Sequence, residues 1–165
     1  MPIIDSPPEL PLAIDNDVFT HLRNKRPYVL EQIKKHRSDT MKLPVIPSLT
    51  IFEANFGIQK ALATNQLTEE HANFQFQIIN ILSANHTVIS FDQRASEIAA
   101  YIFARLSQSD RNKHWRDAFI VATAIAHNYG LATQNKRDME LIAKHLPDSL
   151  DLRLAIWKPD RKSVV

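Results

Sequence analysis

Short apolar runs alternate with longer amphipathic stretches along this chain. "LAI" at 12–14, "LPVIP" at 43–47, "HTVISF" at 86–91 and "LAT" at 131–133 are brief and fenced by polar residues or prolines. Runs of that length, apolar on successive positions, predict strands covered on both faces. Helical periodicity fills the intervals. It starts at Val18, breaks near Pro27 and resumes to about Arg37; it returns from Ser48 or Thr50 to about Ala63 and from Thr68 to about Leu82. Later stretches cover about 93–107, Arg116 to Asn128 and about 138–146, and the apolar run "LDLRLAIW" at 150–157 follows. Residues 2–11 hold four of the nine prolines and read as an irregular lead-in, "SQSDRNKHW" at 107–115 as a polar, basic loop, and 158–165 as a basic tail. Strands alternating with helices predict one α/β domain, a short and mostly parallel sheet flanked by helices on both faces.

Composition narrows the chemistry. The 165 residues suit a single domain with its own core, and the absence of cysteine excludes disulfides, thiolate zinc sites and cysteine nucleophiles. Any metal must be held by oxygen or imidazole. His71, His86, His114 and His127 show no zinc-site spacing and are expected at surface or capping positions. Neither a secretion signal nor an apolar run of about 18 residues occurs, so the expectation is a cytoplasmic protein without membrane association. The net charge of +2 does not by itself imply a polyanion partner, but basic residues cluster at 23–26, 34–37, 111–116 and 158–162.

Four positions draw attention to one edge of the predicted sheet. Asp15 ends a strand, Glu53 and Asp117 lie near the starts of helices, and the segment Asn135–Asp138 follows another strand. In a parallel sheet the carboxyl ends of the strands line one edge, where residues distant in sequence converge. Each acid also has a purely structural reading. Thr50-Ile-Phe-Glu53 fits a capping box, Asp117 suits a helix N-terminus, and Asp17 suits a cap for the helix it begins. Only two glycines occur in the chain. Gly57, one turn beyond Glu53, would let a ligand or backbone approach, and Gly130 suits a left-handed helix end. Arg111, Lys113 and Arg116 precede Asp117 and suit phosphate contacts, with Trp115 either a stacking surface or a packed rim residue. Carboxylates forced together raise one another's pKa, a conflict that a divalent cation resolves; oxygen donors suit Mg²⁺ or Mn²⁺ and the activation of water.

These stretches, taken together, resemble the PIN-domain ribonucleases, and among them the VapC-like toxins of toxin–antitoxin pairs. "LAIDNDVFTHL" is similar to the family's opening strand and acid, "SLTIFEANFG" to its Glu-and-glycine motif, "DAFIVATAIAHNYG" to its third, acid-led helix, and "LATQNKRDM" to its fourth motif. They occur in the family's order between residue 12 and about 146. The resemblance implies Asp15, Glu53 and Asp117 as metal-binding acids of a metal-dependent endoribonuclease, with Thr133, Asn135 and Asp138 in the fourth motif and Asn135 or Asp138 completing the site. It implies Mg²⁺ or Mn²⁺ as cofactor, RNA as substrate met by Arg111, Lys113, Arg116 and Thr133, a homodimer, and a small antitoxin docked near the first helices, where Val18, Phe19, Leu22 and Leu30 line a groove or belong to the core. The chain departs from the pattern at Asn16, where Thr or Ser is common, at Asp17, where Asn, Ser or Cys is usual, and at Asn135, which is Asp in some members.

Two other readings compete. Asp15-Asn16-Asp17 is similar to the Asp-x-Asp of haloacid-dehalogenase phosphatases, but Phe19 stands where that motif takes Thr or Val. The second alternative is a non-catalytic RNA-binding or partner-binding module that keeps the fold.

Overall fold

In the computed structural model, which describes residues 3–159, the proline-rich lead-in is not irregular throughout. Ile3–Asp5 forms strand β1 and pairs in parallel with a strand at the far end of the chain. Leu12–Ile14 is β2, followed by helices α1 (Asn16–Arg23) and α2 (Pro27–Thr40), with Pro27 at the start of α2 where its missing N–H has no intrahelical partner to lose. Ile46–Pro47 is β3, Ser48–Ala63 α3, Glu69–His86 α4 and Val88–Ile89 β4. Then come α5 (Gln93–Arg105), α6 (Gln108–Ala126), β5 (Gly130–Thr133), α7 (Lys136–Ala143) and β6 (Leu152–Ile156). Of the basic tail expected over 158–165, residues 160–165 lie outside the described residues.

The main sheet has the order β1-β6-β5-β2, and β3 pairs with β4 beside it, every pairing parallel. Val45 joins the two sets: its carbonyl accepts from Ile14 N at 3.0 Å and its N–H donates to Leu12 O at 2.9 Å. Alternate residues of each strand face opposite layers. Ala13, Leu131 and Leu154 pack with α5, α6 and α7, whereas Leu12, Ile14 and Ala132 pack with the first four helices. That two-sided burial explains runs of apolar residues instead of alternation. Val18, Phe19 and Leu22 are fully part of the second core, while Leu30 stays exposed.

Two local expectations change and one holds in modified form. Residues 108–115 are helical, because the Ser107 hydroxyl accepts from Asp110 N at 3.1 Å and caps α6; the polar stretch is the exposed face of that first segment. Helical geometry lapses at His114 (φ −122°, ψ 18°), where two helical segments meet, so Asp117 stands in the first turn after the kink, near a helix start as expected. The left-handed residue after α6 is Asn128 (φ 63°), not Gly130. Gly130 instead begins β5 where space is short: a Cβ there would lie 2.6 Å from Ser6 Oγ and 2.8 Å from a Leu12 methyl.

Candidate active site

The polypeptide turns from β2 into α1 at Asp15, and that turn fixes both carboxylate oxygens. Oδ1 accepts from Val18 N at 3.1 Å, capping α1, and Oδ2 accepts from the Thr133 hydroxyl at the end of the adjacent strand β5. Asp15 is therefore a cap and a member of the site edge. Thr133 is completely buried, and its oxygen also accepts from Asn135 N at 3.1 Å. The Thr133 hydroxyl thus holds Asp15 and the turn after β5.

Glu53 is released from the capping box. Helix α3 starts at Ser48, with Pro47 before it, so Thr50 already lies in the first turn. Its hydroxyl donates to Ile14 O at 3.3 Å, tying α3 to β2 and leaving Glu53 without a capping partner. Gly57, one turn on, is exposed, and a Cβ there would meet nothing within 4 Å.

Past the kink in α6, Asp117 Oδ2 accepts from His114 Nδ1 at 3.2 Å. From α7, Asp138 completes a close group: one ligand atom each of His114, Asp117 and Asp138 lies within 4.8 Å of the others. His114 is thus at the site and not in the surface or capping position expected of it. No metal-site spacing in the sequence marks it; it lies three residues before Asp117, at the kink. Asn135 caps α7 by accepting from Asp138 N at 3.2 Å, and its Nδ2 donates to Asp138 Oδ2 at 2.6 Å. Asn135 orients Asp138, which is the acid beside Asp117.

Electrostatics ties these groups into one site. Burial pushes Asp15 up to about 7, against the hydrogen bonds from Thr133 and Val18, and Asp17 and Asp117 add to the rise. Burial likewise raises Glu53 to about 7, with Arg116 opposing and Asp117 and Asp17 reinforcing. Asp117 is raised by burial, opposed by the His114 hydrogen bond, with Asp138 and Asp17 adding repulsion. Asp17, exposed on α1, acts on all three acids without capping α1. The charges that act on Asp15 are both acidic. Among the described residues the close group of ligand atoms is Asp117 and Asp138 with the His114 imidazole, and Asp15 and Glu53 feel the Asp117 charge; mutually repelling carboxylates of this kind fit a hard divalent cation.

The basic residues divide. Arg111 Nε donates to Phe103 O at 2.9 Å and Leu106 O at 3.1 Å, bracing the α5–α6 turn, while the residue stays exposed. Lys113 is exposed and lines a cleft with His114, Arg137, Asp138 and Lys144. Arg116 stays near Glu53 and packs against aromatic rings. A further polar group escaped the sequence reading: Gln134 Nε2 donates to the Tyr28 hydroxyl and lies 2.7 Å from His21 Nδ1. Burial, then Asp15 and Asp17, pushes the Tyr28 phenol up to about 12 and keeps it neutral beside the acids.

A parallel α/β sheet with acids gathered at its carboxyl edge defines the class: a single α/β domain with an acidic, cation-ready cleft. The PIN domain family matches residues 14–144, most of the chain, and the chain belongs to that family. It is similar to the VapC ribonuclease Y4jK of Sinorhizobium fredii, 27% identical over 131 residues that cover 78% of this chain and 90% of that protein. The fold is shared with DNA-bound VapBC from Salmonella typhimurium (TM-score 0.64, 19% identity, 90% of this chain and 99% of that one). It is also shared with FitAcB from Neisseria gonorrhoeae (TM-score 0.58, 20% identity, 90% and 97% covered). Family membership removes the phosphatase alternative. Among the described residues no helix is long and apolar enough to cross a membrane.

Proposed function

We propose that this chain is a divalent-metal-dependent endoribonuclease and the toxin of a toxin–antitoxin pair. The observation that carries the reading is the close group of Asp117 and Asp138 with His114, beside which Asp15 at the end of β2 and Glu53 on α3 are raised in part by the Asp117 charge. Asp15 and Asp117 would hold the ion, Glu53 and Asp138 would complete its oxygen donors, and Asn135 and Thr133 orient Asp138 and Asp15. Mg²⁺ or Mn²⁺ bound there would supply Lewis acidity, to activate water and to neutralise charge on the scissile phosphodiester. Arg116 and Lys113 draw the RNA backbone to the cleft. The VapC ribonuclease relative supports the activity, and the VapBC and FitAcB neighbours support a small antitoxin partner; the homodimer is carried by the family resemblance alone.

The test is cleavage of RNA by the purified protein with Mg²⁺ or Mn²⁺ and with EDTA, mapped by end sequencing, beside Asp15→Asn and Asp117→Asn variants shown to be folded. Cleavage that requires the metal and both acids is expected; variants as active as wild type would sink the mechanism. The toxin assignment is tested separately, by whether an adjacent short reading frame encodes a protein that copurifies with this one.

A further inference from the structure

One residue separates Thr133, which holds Asp15, from Asn135, which holds Asp138. That residue, Gln134, is tied to the first two helices. Its Nε2 donates to the Tyr28 hydroxyl of α2 and lies 2.7 Å from Nδ1 of His21 on α1, and the same hydroxyl reaches that nitrogen. The His21 ring stands edge-on to the phenol, with centroids 5.5 Å apart and planes 86° apart, so packing holds the pair as well as hydrogen bonding. His21 lies one turn beyond Asp17 on α1, and Tyr28 is the second residue of α2, set by Pro27 before it. All three residues are half-buried.

A phenol between an amide donor and an imidazole acceptor takes one hydrogen bond and gives another. Gln134 Nε2 donates to it and it donates to Nδ1, which leaves the His21 proton on Nε2. Ordering a long amide side chain against two helices costs rotamer entropy, and the return on that cost falls on the turn after β5. There Asn135 N donates to Thr133 Oγ1 at 3.1 Å, so residues 133–135 form a hydrogen-bonded turn with Gln134 at its centre. The Thr133 hydroxyl donates to Asp15 Oδ2 and Asn135 Nδ2 donates to Asp138 Oδ2. Fixing the central side chain therefore fixes both flanking donors. Carboxylates that repel one another stay together without a cation only when their partners are themselves held. The charges of Asp15 and Asp17 reach the Tyr28 phenol, which places the cluster beside the acids.

The geometry points to Tyr28, His21 and Gln134 as positioning residues that lock the turn 133–135, and through Thr133 and Asn135 hold Asp15 and Asp138 ready for a divalent cation. They act through the turn and not by contact with the ion. This rests on the metal-dependent nuclease reading of the same acids.

Metal affinity measures the lock directly. Mn²⁺ is titrated by calorimetry into the whole chain, at one pH and well below each variant's melting temperature in EDTA. Tyr28→Phe keeps the ring and removes only the hydroxyl; it should weaken Mn²⁺ binding about five- to tenfold, less than loss of the Thr133 hydroxyl because it acts at one remove. Two uncharged replacements at position 21 separate hydrogen bonding from packing, since the Asn amide oxygen stands where Nδ1 stood and Leu offers no acceptor. His21→Asn should bind Mn²⁺ within about twofold of wild type, and His21→Leu about five- to tenfold more weakly. In RNA cleavage Tyr28→Phe should need correspondingly more Mn²⁺ for half its maximal rate, yet reach the wild-type kcat and RNA KM once the metal saturates. Wild-type Mn²⁺ affinity in Tyr28→Phe or in His21→Leu would overturn the lock. So would equal losses in His21→Asn and His21→Leu, or a kcat that stays low at saturating Mn²⁺. The expected Mn²⁺ affinities in a protein that cleaves no RNA would refute the nuclease reading and keep the lock; metal-dependent cleavage with the same Mn²⁺ affinity in every variant would do the reverse.

Discussion

Replacing the buried acid at the end of β2 should make the metal-free protein more stable, by an amount that depends on pH. Asp15 is 4% exposed, and burial pushes its carboxyl from 3.8 up to about 7 against the hydrogen bonds from Thr133 and Val18. At about 1.4 kcal/mol per pH unit, a rise of about three units means that ionisation destabilises the metal-free fold by about 4 kcal/mol. The sign follows from which state ionises first. Below the unfolded value of 3.8 the carboxyl is protonated in both states and nothing is lost. As the pH climbs toward about 7 the unfolded chain ionises while the folded chain does not, so stability falls, and above about 7 the loss is complete. Asn in place of Asp15 cannot ionise, and its Oδ1 still caps Val18 N. Its Nδ2 meets the Thr133 hydroxyl, which no longer finds a carboxylate to donate to, a loss of about 1 kcal/mol.

Asp15→Asn should therefore be about 3 kcal/mol more stable than wild type at pH 8 in EDTA, and equal or slightly less stable at pH 4. For a chain of this size that corresponds to a melting temperature about 6–12 °C higher at pH 8. Urea and thermal unfolding followed by circular dichroism across that pH range measure it. A stability difference that does not change with pH, or a wild type that is the more stable at pH 8, would refute the argument that Asp15 is an acid held against its solvation preference. Saturating Mg²⁺ should close most of the gap, since the cation stabilises only the folded carboxylate.

Three further outcomes follow from the same geometry. Thr133→Val removes the hydroxyl that holds Asp15 and should weaken Mn²⁺ binding about 10–100-fold by calorimetry with the fold intact; unchanged affinity would leave Thr133 without that role. The rate of RNA cleavage should rise with pH through about 7 as Asp15 and Glu53 lose their protons, and its midpoint should move to lower pH as the metal concentration is raised, because cation and proton compete. A midpoint indifferent to metal would count against carboxylate ligation. The two glycines should respond oppositely in thermal melts. Gly130→Ala puts a Cβ 2.6 Å from Ser6 Oγ and 3.2 Å from the Arg153 carbonyl and should cost about 1–3 kcal/mol, whereas Gly57→Ala, in open space within α3, should add about 0.5–1 kcal/mol.

Much of the architecture was legible because apolar runs report burial directly. The runs at 12–14 and 131–133 became β2 and β5, and the cap at Thr68 opened α4 as its chemistry required, accepting from His71 N at 3.2 Å. The lead-in was not legible, since β1 is a three-residue strand whose partner β6 lies about 150 residues away, and no local pattern encodes that pairing. The stretch 107–115 misled for a different reason. Its polar residues form the outer face of a helix begun by Ser107, and polarity without an apolar stripe reads as a loop. Losing that helix also concealed the kink at His114 and with it the imidazole beside Asp117.

The acids were harder to read, since a capping carboxylate and a site carboxylate look alike in sequence. Tertiary contacts separate them at Glu53: Thr50 turns its hydroxyl to the Ile14 carbonyl, so the capping box never forms and the acid is left to the cleft. At Asp15 the two roles are not alternatives. One oxygen caps α1 and so fixes the side chain, and the other points along the strand ends toward Thr133 and the acids beyond. Asn135 and Asp138 divide the same labour between two residues, one capping α7 and orienting, the other presenting its carboxylate beside Asp117. Capping here is the means by which the fold holds its acids at the carboxyl edge, where the helix N-terminus partly offsets the repulsion that burying them together creates.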